Sequence, residues 1–70
     1  MGSAEKPPGL SVREKECISW VARGKSSWEI GQIMNISENT VNFHIKNAMR
    51  KFNVSSRTVA AIIAINIGII

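Results

Sequence analysis

The stretch from Ser26 to Lys46 leaves this chain little freedom in its local structure. Ser26 followed by Glu29 is a capping box: the serine serves an early helical N–H, and the glutamate reaches back to the serine N–H. Ile30, Ile33 and Met34 then form the apolar face of a short helix. Gly31 lies beside them, where a missing side chain lets another helix come close. Asn35 stands where the chain must turn, and asparagine is the best non-glycine residue for a left-handed backbone. Ser37 caps a second helix, with Glu38 in its first turn where the helix dipole favours an acid.

In that second helix Val41, Ile45, Ala48, Met49 and Phe52 recur at helical spacing and make a core stripe. Asn39, Asn42, Phe43, Lys46 and Arg50 are left to face outward. Asn53 is placed to cap the end. Two short helices about a tight turn, the second with a polar outer face, make the layout of a helix-turn-helix. The second helix of that motif lies in the DNA major groove. The outward face has matching chemistry. Asparagine can bond adenine at two points, lysine can bond guanine acceptors, and Phe43 can touch a thymine methyl. Thr40, Lys25 and the two helix N-termini stand at the edges as phosphate donors, with Lys51 at the far end. A merely solvated face is the plain alternative. An aromatic set among asparagine and lysine argues against it.

The flanking segments complete an all-α domain of four helices, over about 12–23, 27–34, 38–52 and 56–67. Ser11 and Glu14 form another capping box, followed by Glu14, Cys17, Ile18 and Val21 on one face, with Gly24 as the stop. Trp20 and Trp28 are expected to pack the first helix on the second. Ser55 or Ser56 starts the last helix and Gly68 ends it. Ala60, Ala61, Ala64 and Gly68 form a face of small residues suited to close packing. Thr58, Ile62, Ile65 and Ile69 form a second stripe, and Val59, Ile63 and Ile67 a third. One terminal helix of a small domain cannot bury all three, so some apolar surface is left for a partner.

Seventy residues make one small domain, able to bury only about 60% of its unfolded surface. Residues 10–70 are read as that domain, and residues 1–9, rich in Gly and Pro, as a flexible linker or an appended remnant. The net charge is +4, which favours a polyanionic partner. Residues 1–22 balance, residues 58–70 carry no charge, and the whole excess lies in residues 23–57. The single Cys17 sits at an apolar position and reads as a buried thiol, which fits a reducing cytoplasm. No secretory signal precedes it, and the apolar run from Val59 to Ile70 is too short to span a bilayer. Cys17 and His44 offer no closely spaced metal ligands. His44 reads as a packed, hydrogen-bonded structural residue turned partly inward. The chain has no Asp, no glycine-rich phosphate loop and no Ser/His/acid arrangement, so no enzyme and no cofactor are expected.

The segments LSVREKECISWVARGKSSWEI, ISENTVNFHIKNAMRKF and SSRTVAAIIAINIGII resemble the C-terminal DNA-binding domain of LuxR-type regulators. That group also includes the FixJ and NarL response regulators. The resemblance runs from Leu10 to Ile70. Glu14, Ile18 and Gly24 stand where the family keeps a structural glutamate, an apolar residue and a glycine. TVNFH is most like the quorum-sensing branch that binds acyl-homoserine lactones. The resemblance implies that Asn42, Phe43 and Lys46 read bases and that Lys25, Thr40, Asn47 and Arg50 contact the backbone. It implies a homodimer through the last helix, with Thr58, Ile62, Ile65 and either Asn66 or Ile69 at the seam. The partner is then double-stranded DNA carrying an inverted-repeat operator. RNA polymerase is a further implied partner, and a small-molecule ligand would act only through an N-terminal domain that these residues do not contain. Some relatives carry arginine at the position of Asn42; asparagine there points to adenine or a mixed contact. Two other readings remain open: a protein-interaction module using the apolar last helix, and the output domain of a phosphorylated response regulator.

Overall fold

Four serines and four left-handed residues set the helix boundaries in the computed structural model, which describes residues 9–70. The helices are α1 (Val12–Ala22), α2 (Ser27–Met34), α3 (Glu38–Phe52) and α4 (Arg57–Asn66). Each end falls within one residue of its expected place. The expected linker lies outside the described residues except for Gly9.

Every helix opens on a serine whose hydroxyl accepts an N–H three residues on. These are Ser11 to Glu14, Ser26 to Glu29, Ser37 to Thr40 and Ser56 to Val59. Ser56, not Ser55, is the fourth cap. Both capping boxes close: Ser11 N–H donates to Glu14 Oε1 at 2.9 Å and Ser26 N–H to Glu29 Oε1 at 2.8 Å.

The four exits are equally uniform. Gly24, Asn35, Asn53 and Gly68 take φ of 84°, 58°, 58° and 78°. The next residue in each case returns its N–H to a carbonyl five positions back. The pairs are Lys25 to Trp20, Ile36 to Gly31, Val54 to Met49 and Ile69 to Ala64, at 3.0–3.1 Å. This bond ends the helix and turns the chain across its own last turn. In three of the four exits the returning residue is apolar (Ile36, Val54, Ile69) and packs on the core. Ile69 is therefore drawn toward the core and is only half-exposed.

All four helices feed one core. Cys17 and Ile18 come from α1, Ile30 from α2, Val41, Ile45 and Ala48 from α3, and Ala60, Ala61 and Ala64 from α4, with Leu10 ahead of them. The central element is α3, which packs against each of the others. Gly31 does meet a close neighbour, but that neighbour is the turn itself. A Cβ at Gly31 would lie 2.7 Å from Ile36 O and 3.5 Å from Glu38 N. Trp20 packs on the core, with the Arg23 guanidinium 5.0 Å from its ring centroid. Trp28 does not join it: at 59% exposure it stands outside α2. Ile33 is exposed as well. Both flank the face that Ile30, Gly31 and Met34 turn inward, and so miss the core.

Glu14 is buried, and its Oε1 lies 2.8 Å from Lys51 Nζ, which ties the start of α1 to the end of α3. Burial pushes the Glu14 carboxyl up, but the bonds from Lys51 and the Ser11 N–H outweigh it and hold the group below its ordinary value. Burial, helped by the Glu16 charge, pushes the Cys17 thiol up to about 11. That thiol is inert packing, with Sγ 3.7 Å from Met34 Sδ.

Candidate nucleic-acid interface

The inner face of α3 is closed. Val41, Ile45 and Ala48 are 0–1% exposed, and Met49 and Phe52 are half-buried. The helix can therefore offer only its opposite face to a partner, and there Asn39, Asn42, Phe43, Lys46 and Arg50 are all exposed. Phe43 is 61% exposed and has no core to fill. Its ring meets the half-buried His44 ring edge-on, with centroids 5.7 Å apart. The hydrogen bond expected for His44 is not formed among the described residues.

The expected backbone contacts divide into two groups. Lys25 is exposed in the link before α2. Thr40 is half-buried and shares a hydrogen bond with Ser37, Oγ1 to Oγ at 2.9 Å, at the start of α3. Arg50 Nη1 donates to Asn47 Oδ1 at 3.1 Å, so these two form one unit on the α3 surface. Lys51 is different. Its ammonium is engaged by Glu14 at 2.8 Å and by Gly9 O at 3.3 Å. Expected among the backbone contacts, it also joins α1 to α3.

Asn42 has unexpected company. Its Oδ1 lies 2.6 Å from Ser27 Oγ, and Arg57 Nη1 donates to the same hydroxyl at 2.8 Å. Neither Ser27 nor Arg57 stands out in the sequence as a site residue. A helix-starting serine is explained by its position, and Arg57 has no acidic neighbour to announce a role. Only the packing of α2, α3 and α4 brings the three together.

On α4, Ala60, Ala61 and Ala64 pack inward as their small size requires. Thr58, Ile62, Ile65 and Asn66 remain exposed, Ile62 and Ile65 by 51% and 54%. Val59 and Ile67 extend this apolar surface. Among the described residues no helix is long and apolar enough to cross a membrane, and no group of metal-ligating side chains forms.

Comparison with known proteins agrees with this architecture. Residues 8–64 match the family described as bacterial regulatory proteins, luxR family. RhlR of Pseudomonas aeruginosa, an HTH-type quorum-sensing regulator, is 52% identical over 64 residues, covering 91% of this chain and 27% of RhlR. The Sinorhizobium fredii protein y4qH is 71% identical over 70 residues, all of this chain and 22% of that protein. The chain thus spans about a quarter of the length of the curated relatives it matches. Among solved structures, SdiA in complex with octanoyl-rac-glycerol superposes with a TM-score of 0.80 at 47% identity, over 90% of this chain and 26% of that one. The transcription factor GerE superposes with a TM-score of 0.79 at 36% identity, over 84% of this chain and 88% of that one. With four helices in the same arrangement and a family match over most of its length, this chain belongs to the luxR family of bacterial regulatory proteins.

Proposed function

We propose that this chain is the DNA-reading domain of a bacterial transcription regulator, with α3 lying in the major groove. Asn42, Phe43 and Lys46 read base edges. Lys25, Thr40, Asn47 and Arg50 hold the phosphates on either side. The observation that carries this reading is Phe43, an exposed aromatic between exposed Asn42 and Lys46 on a helix whose other face packs on the core. An aromatic contributes most when desolvated, and a groove-bound helix supplies that environment.

Two copies bind together through α4, with Thr58, Ile62, Ile65 and Asn66 at the seam, on an inverted repeat whose half-sites lie about one helical turn, roughly 10 bp, apart. The exposed isoleucines support this, since apolar side chains clustered on one helix favour a partner over water. Residues 10–70 form the DNA-binding unit. Quorum-sensing regulators among the relatives support a small-molecule signal arriving through a further domain, with RNA polymerase as a downstream partner.

Lys46→Ala tests the groove-facing assignment. It is expected to cost about 2 kcal/mol on the cognate site and much less on random duplex, as measured by competition binding. An equal loss on both would make Lys46 a phosphate contact. Ile62→Asp tests the seam. The variant is expected to keep its helical circular-dichroism signal while losing the preference for an inverted repeat over a half-site. Unfolding would place Ile62 in the core instead.

A further inference from the structure

Ser27 is buried at the start of α2, and its hydroxyl has partners on two other helices. The direction of these bonds follows from what each group can donate. A guanidinium carries donors only, so Ser27 accepts from Arg57. The hydroxyl proton is then free for Asn42, whose carboxamide oxygen accepts it at 2.6 Å. Arg57 Nη2 lies 3.5 Å from that same oxygen, so its charge favours the same orientation. Turning the amide over would set its NH2 group against the guanidinium, donor against donor. Asn42 is therefore held by its oxygen, and its NH2 group is free to meet what lies outside.

This bears on which base it reads. Bidentate recognition of adenine uses both ends of the amide: the oxygen accepts from N6 and the NH2 donates to N7. With the oxygen engaged by Ser27 and Arg57, that pairing is lost and only donors remain. Guanine offers N7 and O6 as acceptors in the major groove, and thymine offers O4. We propose that Ser27 and Arg57 are positioning residues that set base preference: they hold the Asn42 oxygen so that Asn42 selects guanine or thymine and disfavours adenine. The inference rests on the reading of α3 as the base-reading helix.

The test is selection from a randomised duplex library, sequenced after binding to the parent chain and to Asn42→Ala, Ser27→Ala and Arg57→Ala variants. Asn42→Ala identifies the operator position that depends on Asn42. Guanine or thymine is expected there for the parent. Releasing the amide by Ser27→Ala, or by Arg57→Ala should the first variant fold poorly, is expected to enrich adenine there roughly tenfold, the discrimination one bidentate contact carries. Adenine chosen by the parent overturns the proposal. So does a preference that neither release variant moves. So does an Asn42→Ala variant that changes no base position, which would make Asn42 a phosphate contact. A second readout needs no DNA. In thermal unfolding, the Tm losses of Ser27→Ala and Asn42→Ala are expected to fall short of additivity by about 4 °C. Additive losses overturn the clamp. Non-additive losses in a parent that selects no sequence at all would overturn the DNA reading while leaving the clamp standing.

Discussion

Gly31→Val is expected to destabilise the domain by about 3 kcal/mol or more. The cause is a backbone collision. A Cβ at Gly31 would lie 2.7 Å from Ile36 O, a distance real Cβ atoms do not adopt. The oxygen belongs to the turn between α2 and α3, where Asn35 is already left-handed and the Ile36 N–H is committed to Gly31 O at 3.0 Å. Moving the carbonyl would break the turn that sets the angle between the two helices, so the cost is not relieved by rotating a side chain. Alanine would recover up to about 1 kcal/mol of helix propensity relative to glycine; valine recovers less and adds two methyl groups. A chain of this size commands only about 3–5 kcal/mol in all, so the variant is expected to be largely unfolded at 37 °C. Circular-dichroism melts measure this. Gly9→Val, at a position where a Cβ meets nothing within 4 Å, is the control and is expected to melt like the parent. A parent-like melt for Gly31→Val would show that the turn can retreat.

Glu14→Ala is the second large effect, expected to cost about 3 kcal/mol at pH 7. The carboxylate closes the α1 capping box and pairs with Lys51 across the domain. Removing a buried partner generally costs more than the pair contributes, but the Lys51 side chain is 39% exposed and regains water, which keeps the loss moderate. The effect depends on pH with a definite sign. Burial raises the Glu14 carboxyl, and Lys51 with the Ser11 N–H more than reverses this, so its folded pKa lies below its unfolded one. Such a group contributes its full stability above the unfolded value, near 4.5, and loses it as pH falls through the lowered folded value. Glu29, held low by the Ser26 N–H, acts in the same direction. The gap between the urea midpoints of the parent and Glu14→Ala is therefore expected to be widest at pH 7 and to narrow as pH falls below 4.5. A gap that stays constant with pH would mean that Glu14 acts through packing and not through its charge.

Helix boundaries were legible because they are written in single residues. Ser11, Ser26 and Ser37 cap their helices, and Asn35, Asn53, Gly24 and Gly68 end them through local backbone geometry. The outward face of α3 was legible for a related reason, since helical spacing alone separates Val41 and Ile45 from Asn42, Phe43 and Lys46. What depended on packing between helices was not. Lys51 looked like one more surface cation until α1 brought Glu14 beside it, 37 positions away in sequence. Arg57 and Asn42 meet across Ser27 only because α2, α3 and α4 converge there. Trp28 and Ile33 were expected inside because they are apolar, yet a helix of eight residues buries only one narrow face. Ile69 lay on the α4 stripe by spacing, but the left-handed Gly68 ends that spacing before Ile69 is reached.

Sequence reading by paired copies is the central claim, and fluorescence-anisotropy titration tests it most directly. The parent chain is titrated against an inverted-repeat duplex, a single half-site and a scrambled duplex, each across a salt series. The expected result is strong preference for the inverted repeat, with log affinity falling steeply and linearly against log salt as phosphate contacts displace counterions. Equal, weak binding to all three duplexes would contradict the account, leaving α3 a basic surface and making the apolar face of α4 the functional one.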